Sequence, residues 1–336
     1  MDITIRKLSQ DEKIKSRSLY EACFAEDSKA FVDCYYEEVA KDNEIYVVEE
    51  GEEIQAMLHL NPYKISLNGE ENSLDYIVAV ATKKEARRKG YMRALVKEAF
   101  KDMHEDGKPF TYLMPAKEEI YLPFDFCRVY RQDVSKISPA QALTLGECEE
   151  LTPALCKDAA SEEAEYLLEH FQVYTLRDEA YYRRQLKQYQ ADGGKIYVKR
   201  QEGKIRELAY YYPENQEETE VDPLIMIRII DVKRMLMSMK LKTLTAACFT
   251  VVDPLIPENN CCLTITGTEF SGLLLMDGLE KNSEGTLTIG ALGELLFGAK
   301  TVEEVCKEEG VDMTKRLQGE FEKIIPLKKI CINELV

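Results

Sequence analysis

Two short stretches hold residue types that could do chemistry together. The first, Arg87-Arg88-Lys89-Gly90-Tyr91-Met92, sets three cations and a glycine ahead of an apolar stripe formed by Met92, Leu95, Val96, Ala99, Phe100 and Met103. That spacing predicts an amphipathic helix. The start of a helix carries unpaired N–H groups and a partial positive charge, so it can cradle a phosphate. Gly90, without a Cβ, would let the phosphate approach the backbone, and the three cations would add charge-assisted contacts. The second stretch is Ile120-Tyr121-Leu122-Pro123-Phe124-Asp125-Phe126. A phenol with an ordinary pKa of about 10 is protonated at neutral pH and can give its proton to a leaving thiolate. Plainer readings also exist: a basic turn before a surface helix, and a packing tyrosine among the 19 of this chain.

The elements that must position these residues follow from the pattern. Ile3 and Ile5 alternate with polar neighbours and predict a first strand. Ser9-Gln10-Asp11-Glu12 fits a capping box opening a helix with Ile14, Leu19, Tyr20 and Cys23 inward, and Phe31, Val32, Tyr35, Tyr36 and Val39 mark another. Ile45 to Val48 and Ile54 to Leu60 read as strands joined through Glu50-Gly51. Tyr63 to Leu67 should turn at Asn68-Gly69 and return through Leu74 to Val80. After the helix, Phe110 to Met114 is reached by a crossover and should run parallel to Ile77–Val80.

Val78-Ala79-Val80 followed by Arg87-Arg88-Lys89-Gly90-Tyr91-Met92-Arg93 resembles the acetyl-CoA-binding motif of the GCN5-related N-acetyltransferases (GNAT), Arg/Gln-x-x-Gly-x-Gly/Ala. Met92 stands where Gly or Ala is usual, a departure similar to that of the Eis (enhanced intracellular survival) branch. Ile120 to Phe126 resembles the family's Ile-Tyr-x-x-Phe-Gly-Tyr segment, with Asp125 in place of glycine. Asp tolerates positive φ better than most residues, so the turn can survive the replacement. The resemblance implies an α/β (α+β) fold with two tandem GNAT-type mixed sheets and a sterol-carrier-protein-like α+β domain. The corresponding divisions are 1–132, 133–225 and 226–336. It also implies that Val78, Ala79 and Val80 bind the pantetheine arm of acetyl-CoA, that Arg88, Lys89, Gly90, Tyr91, Met92 and Arg93 hold its pyrophosphate, and that Ala116 and Lys117 complete the cofactor site. Tyr121 is then the general acid.

Composition bounds the rest. A chain of 336 residues with 45% apolar content has the prior of two or three domains and room for a good core. No run of about twenty apolar residues occurs, and Met1-Asp2-Ile3-Thr4-Ile5-Arg6 forms no signal peptide, so a cytoplasmic protein is expected. Ten cysteines without a C-x-x-C pair and three scattered histidines argue for buried free thiols and against a metal site. A net charge of −17 repels nucleic acid and anionic membrane and favours a cationic substrate; plain solubility would explain most of the same acids.

Downstream, Ile196-Tyr197-Val198 with Glu202-Gly203-Lys204-Ile205 echoes Ile45-Tyr46-Val47 with Glu50-Gly51. No basic loop follows this second copy; an acidic stretch, Glu214 to Asp222, takes its place. The tyrosines Tyr181, Tyr182, Tyr189, Tyr197 and Tyr210 to Tyr212 suit core packing, or the wall of a substrate cleft. Pro223 to Ile230 predicts a strand, Asp231 an N-cap, and Thr288 to Gly298 a helix closed by glycine. Val252-Asp253-Pro254-Leu255-Ile256-Pro257 and Leu295-Leu296-Phe297-Gly298 are similar to the family's sterol-carrier-like domain.

Ile330 to Val336 alternates and ends apolar, which predicts a docked tail rather than a frayed one. The resemblance implies that the terminal carboxylate, on Val336, is the base for the incoming amine; the alternative is a last strand with an incidental carboxylate. The expected function is acetyl transfer from acetyl-CoA to a primary amine of a cationic substrate such as an aminoglycoside, a polyamine or a lysine side chain, by a homo-oligomer that uses no metal. A non-catalytic CoA- or lipid-binding protein is the alternative.

Overall fold

The computed structural model describes residues 3–132, 136, 139–144, 148–213, 223–332 and 334. The basic loop and the tyrosine segment both hang from one large sheet. Its strands begin with β1 (Ile3–Lys7), followed by a 3-10 turn at Lys13–Ser16 and helices α1 (Arg17–Cys23) and α2 (Lys29–Cys34). The capping contact exists, since Glu12 Oε2 accepts from Ser9 N at 3.2 Å and Ser9 Oγ at 3.0 Å. It opens the tighter 3-10 turn rather than an α-helix, and Ile14, expected inward, is 57% exposed. The changed pitch moves Ile14 off the face that buries Leu19 and Tyr20.

Strands β2 (Glu44–Glu50), β3 (Glu53–Leu67) and β4 (Glu70–Thr82) form the antiparallel meander. Asn68 and Gly69 take φ of 52° and 97°, the left-handed pair that a two-residue hairpin demands. The two strands expected at Ile54–Leu60 and Tyr63–Leu67 are one. Pro62 is tolerated because pairing to β2 stops at Leu60 and pairing to a later strand starts at Ile65. Helix α3 (Tyr91–Glu105) then buries Leu95, Val96, Ala99, Phe100 and Met103 against the sheet. β5 (Phe110–Leu113) runs parallel to β4, as the crossover requires, and β6 (Cys127–Arg131) follows.

Next come α4 (Pro139–Thr144), β7 (Cys148–Glu150), α5 (Cys156–His170), β8 (Val173–Thr175), α6 (Glu179–Ala191), β9 (Lys195–Gln201) and β10 (Lys204–Tyr211). Strands β10, β9 and β7 make a small antiparallel sheet, whose core with α5 and α6 contains Leu151, Tyr182, Leu186, Ile196, Val198 and Ile205. Strand β8 leaves it to pair with the end of β3. The acidic stretch 214–222 lies outside the described residues.

Strand β11 (Leu224–Ile229) returns to the first sheet and lies antiparallel between β5 and β6. A boundary at 225/226 therefore falls inside a strand of the first sheet. The remainder comprises α7 (Val232–Met237), β12 (Lys240–Leu241), β13 (Thr245–Val252), β14 (Cys261–Thr268), β15 (Gly272–Asp277), β16 (Gly285–Thr288), α8 (Ile289–Leu296), α9 (Val302–Val305), β17 (Asp312–Met313), α10 (Lys315–Phe321), β18 (Ile324–Ile325) and β19 (Ile330–Cys331). Asp231 and Thr288 cap their helices through side-chain oxygens, and Gly298 takes φ of 66° just past α8. A five-stranded sheet, β15-β14-β13-β16-β17, shares one continuous core with the α3 face of the first sheet, where Phe110 meets Phe297 edge-on at 5.3 Å. Among the described residues no helix is long and apolar enough to cross a membrane.

Candidate functional site

β4 and β5 share one registered pair, Tyr76 with Tyr112. Beyond it no further β4–β5 pair is registered among the described residues, while the other edge of β4 stays paired with β3 as far as Thr82. A bulge lies in this stretch. The register passes from His59↔Val78 to Met57↔Ala81, so Ala79 and Val80 together oppose Leu58, and Ala79 takes φ of 51°. An unpaired strand edge can bond an extended chain bearing amide groups. Val78, Ala79 and Val80 are the residues for which the sequence expects that role.

At the top of the opening, Arg88 and Gly90 both take positive φ, 66° and 85°, and Gly90 is the N-cap of α3 without any side-chain cap. The first-turn N–H groups of the helix therefore have no intrahelical partner. A Cβ built on Gly90 would meet nothing within 4 Å, so an anion has room there. Arg87, Arg88, Lys89 and Gly90 are exposed, Tyr91 is buried and Met92 packs partly into the core. Arg93 is exposed, with its guanidinium 5.6 Å from the centre of the Phe124 ring. Lys89 is already engaged: its Nζ lies 3.2 Å from Glu50 Oε1, an oxygen that also accepts from the Tyr91 hydroxyl. Glu50, which sequence reasoning did not single out, thus sets a carboxylate at the rim of the cradle.

Ala116 and Lys117 follow β5 and are exposed; the Lys117 carbonyl accepts from Ile120 N at 3.2 Å. Tyr121 joins two 3-10 turns, Glu118–Ile120 and Leu122–Phe124. Asp125 closes the second with φ of 61° and ψ of 29°, so the left-handed turn survives without glycine. The Tyr121 ring stands edge-on to Phe126 at 5.8 Å and is 9% exposed. Burial pushes its phenol up to about 12. It therefore stays protonated at neutral pH. A thiolate forming in the same dry surroundings would be a stronger base than in water, which favours the transfer.

The Tyr76 phenol is raised first by burial, then by the charge of Glu334, and also by Tyr121. Tyr76 thus lies within electrostatic reach of both Tyr121 and a carboxylate from the far end of the chain. The tail is held there because β19 pairs with β8, and because Tyr130 Oη donates to Ile332 O at 2.6 Å while accepting from Ile332 N at 2.8 Å. Gln132 Nε2 adds a bond to Ile332 O at 3.0 Å. Of the docking expected for Ile330 to Val336, the part from Ile330 to Ile332 is present, whereas residues 333, 335 and Val336, the expected base, lie outside the described residues. Glu334 was not foreseen; its only sequence signal is a lone acid in an apolar tail.

Residues 4–129 match the family described as Acetyltransferase (GNAT) domain. No curated protein matches the sequence. Along its whole length the chain is similar in fold to a solved conserved protein from Enterococcus faecalis described as a probable N-acyltransferase, with a TM-score of 0.75, 14% identity and 100% of both chains covered. A GCN5-related N-acetyltransferase from Kribbella flavida gives 0.72 at 12% identity, over 99% of this chain and 100% of that one. Eis1 from Mycobacterium abscessus gives 0.70 at 11% identity, over 98% of each chain. The strand opening, the uncapped helix and the tyrosine turn all fall within residues 4–129, the segment similar to the GNAT acetyltransferase domain.

Proposed function

We propose that this protein is an acetyl-CoA-dependent N-acetyltransferase that passes the acetyl group directly to a primary amine of a cationic substrate. The observation that carries the reading is the single registered β4–β5 pair, Tyr76 with Tyr112, followed along the chain by a bulge at Ala79 and the uncapped start of α3. Those features fit the cosubstrate: a β4 edge at Val78 to Val80 with no registered partner in β5 among the described residues, for an amide-bearing arm, and first-turn N–H groups with open space over Gly90 for phosphates. Arg88, Lys89, Tyr91, Met92 and Arg93 surround the phosphate end, and Ala116 and Lys117 border the β5 side. In this reading the Lys89–Glu50 pair must rearrange for Lys89 to reach a phosphate.

A neutral amine attacks the acetyl carbonyl; a C–N bond forms and the C–S bond breaks. Tyr121 gives its proton to the departing thiolate, and the single proton that the nitrogen loses on becoming an amide restores the phenol; the proton that the incoming ammonium sheds to become a neutral amine leaves beforehand to solvent. Holding both reactants together supplies most of the acceleration available to a site without a covalent intermediate. The terminal carboxylate of Val336 remains the base we assign to the amine. The same reading takes residues 133–225 as a second GNAT-like unit without a cofactor site, residues 226–336 as a sterol-carrier-like unit, and the protein as a cytoplasmic homo-oligomer.

Thiol release from acetyl-CoA in the presence of primary amines tests the proposal. Amine-dependent release with formation of the amide is the expected result. Stoichiometric acetyl-CoA binding without release under any amine would overturn it in favour of a non-catalytic binder.

A further inference from the structure

Glu334 is a carboxylate that the reaction as described does not use, and it is almost fully enclosed, at 1% exposure. One oxygen, Oε1, accepts from Tyr181 Oη at 3.3 Å; the other, Oε2, makes no hydrogen bond of good geometry, and the Thr175 hydroxyl, close enough to favour the charged carboxylate, is likewise buried without one. Leaving a charged oxygen buried and unsatisfied is costly, and native structures tolerate it where something else completes the site.

The charges around it do not balance. The cation that acts on Glu334 is Arg177, at the start of the segment leading into α6. That guanidinium is itself paired with Glu163 at 3.0 Å, both side chains being 5% exposed. One cation thus faces two carboxylates in a dry interior. Arg184, which acts on Tyr63, is paired with Asp42. The other titratable groups that feel Glu334 are the Cys331 thiol on β19 and five phenols: Tyr63 on β3, Tyr76 on β4, Tyr112 on β5, Tyr130 on β6 and Tyr181 on α6. Tyr76 and Tyr112 stack with ring centres 5.0 Å apart, and Tyr63 meets Tyr76 at 6.4 Å and Tyr181 at 6.5 Å. The Tyr112 hydroxyl and Asn61 Oδ1 are also buried without partners.

Aromatic faces around an unpaired carboxylate form a receptor for a cation, which draws on both the charge and the ring quadrupoles. Hydroxyl and amide oxygens without partners can accept its N–H bonds. Because Tyr76, Tyr112 and Glu334 are each within 2% of full burial, the entering group must be narrow. On the acetyl-transfer reading, we infer that Glu334 with Tyr63, Tyr76, Tyr112 and Tyr181 recognises the acceptor's primary ammonium on a slender alkyl stem. A polyamine or lysine side chain fits this site; an amine carried directly on a sugar ring does not.

The test uses the full chain with 1,4-diaminobutane and kanamycin as probes. Calorimetric titration should show the diamine binding to wild type, Glu334→Gln weakening it at least tenfold, and Glu334→Asp recovering part of the loss, with acetyl-CoA affinity the same in all three. In wild type, diamine affinity should fall as pH is lowered and Glu334 takes up a proton, a dependence absent from Glu334→Gln. This pH series needs no variant, so it decides the matter even if the substitution disturbs folding. Equal affinity of wild type and a folded Glu334→Gln, a flat pH series in wild type, or tighter binding of kanamycin than of the diamine would each overturn the assignment. Because these are binding measurements, diamine recognition without thiol release would sink the transferase reading while leaving the ammonium site standing.

Discussion

Arg228 Nη2 lies 2.6 Å from Asp253 Oδ1, and neither side chain has any solvent exposure. Arg228 comes from β11, in the first sheet, and Asp253 from the loop after β13, in the last part of the chain. The guanidinium also donates to Phe124 O at 3.3 Å and lies 4.8 Å from the centre of the Phe100 ring. The carboxylate accepts from Leu255 N, Ile256 N and Asn259 Nδ2 at 2.8, 3.0 and 2.8 Å. One pair thus joins the turn behind Tyr121 to the third part of the molecule. Removing one member of a buried pair leaves the other unpaired and costs about 3–5 kcal/mol. Arg228→Met should lose stability on that scale in urea unfolding, and adding Asp253→Leu should not add a second penalty of the same size. Additive losses would mean that the two residues act independently.

Gly90→Glu places a side chain and a negative charge where φ is +85° and the phosphates are proposed to sit. Acetyl-CoA at a hundred times its dissociation constant stabilises a one-site binder by about 2.7 kcal/mol. Wild type should show the corresponding rise in melting temperature and Gly90→Glu should not. A shift retained in the variant would move the cofactor elsewhere.

Tyr121→Phe removes the proton donor but keeps the ring against Phe126. We expect kcat to fall by about 10²–10³, within the range for general acid catalysis, with acetyl-CoA affinity unchanged. Burial holds the phenol near 12, so ionisation of Tyr121 should take no rate away near the ordinary phenol pKa of about 10. A kcat that survives the substitution would assign the proton to another group.

Asp125 combines positive φ with a buried oxygen, Oδ2, that has no partner. Burial raises its carboxyl, against the opposing pull of Arg228. A group whose folded pKa is raised favours folding at low pH and disfavours it once pH climbs through that pKa. Asp125→Asn, which keeps the turn geometry, should therefore melt about 1–3 °C above wild type at pH 7. The gap should close as pH falls and the wild-type carboxyl becomes neutral. A constant gap would trace the effect to the backbone instead.

The parts of this structure legible in the sequence are those fixed by neighbours along the chain. Asn68-Gly69 can make few turns other than a tight hairpin, Asp231 and Thr288 cap the helices they precede, and Gly90 ends a loop before an amphipathic stripe. The parallel partner of β4 followed from the crossover alone. What escaped depends on distant residues. Nothing near Leu224 says that its strand enters the first sheet, because an apolar β-branched run suits any buried strand. Pro62 looked like a break since its tolerance depends on where β2 stops and β8 starts. Ile14 went wrong by one change of helical pitch. Glu50 carries no local mark and Glu334 only that of a lone acid in an apolar tail, and the fold alone brings one beside Lys89 and the other beside Tyr181.

The insertion of β11 between β5 and β6 bears on how the molecule comes into being. The stretch that family resemblance delimits as a domain is not a body that could be cut out whole, since it takes a strand from far along the chain. While the chain emerges from the ribosome, β5 and β6 wait as open edges until Leu224 to Ile229 has been made, and such edges invite pairing with the wrong partner. Joining strands so distant also delays folding, because loop closure must come before the contacts that reward it. A nascent chain stalled before β11 would have every residue of the basic loop and of the tyrosine turn, and no completed sheet to hold them.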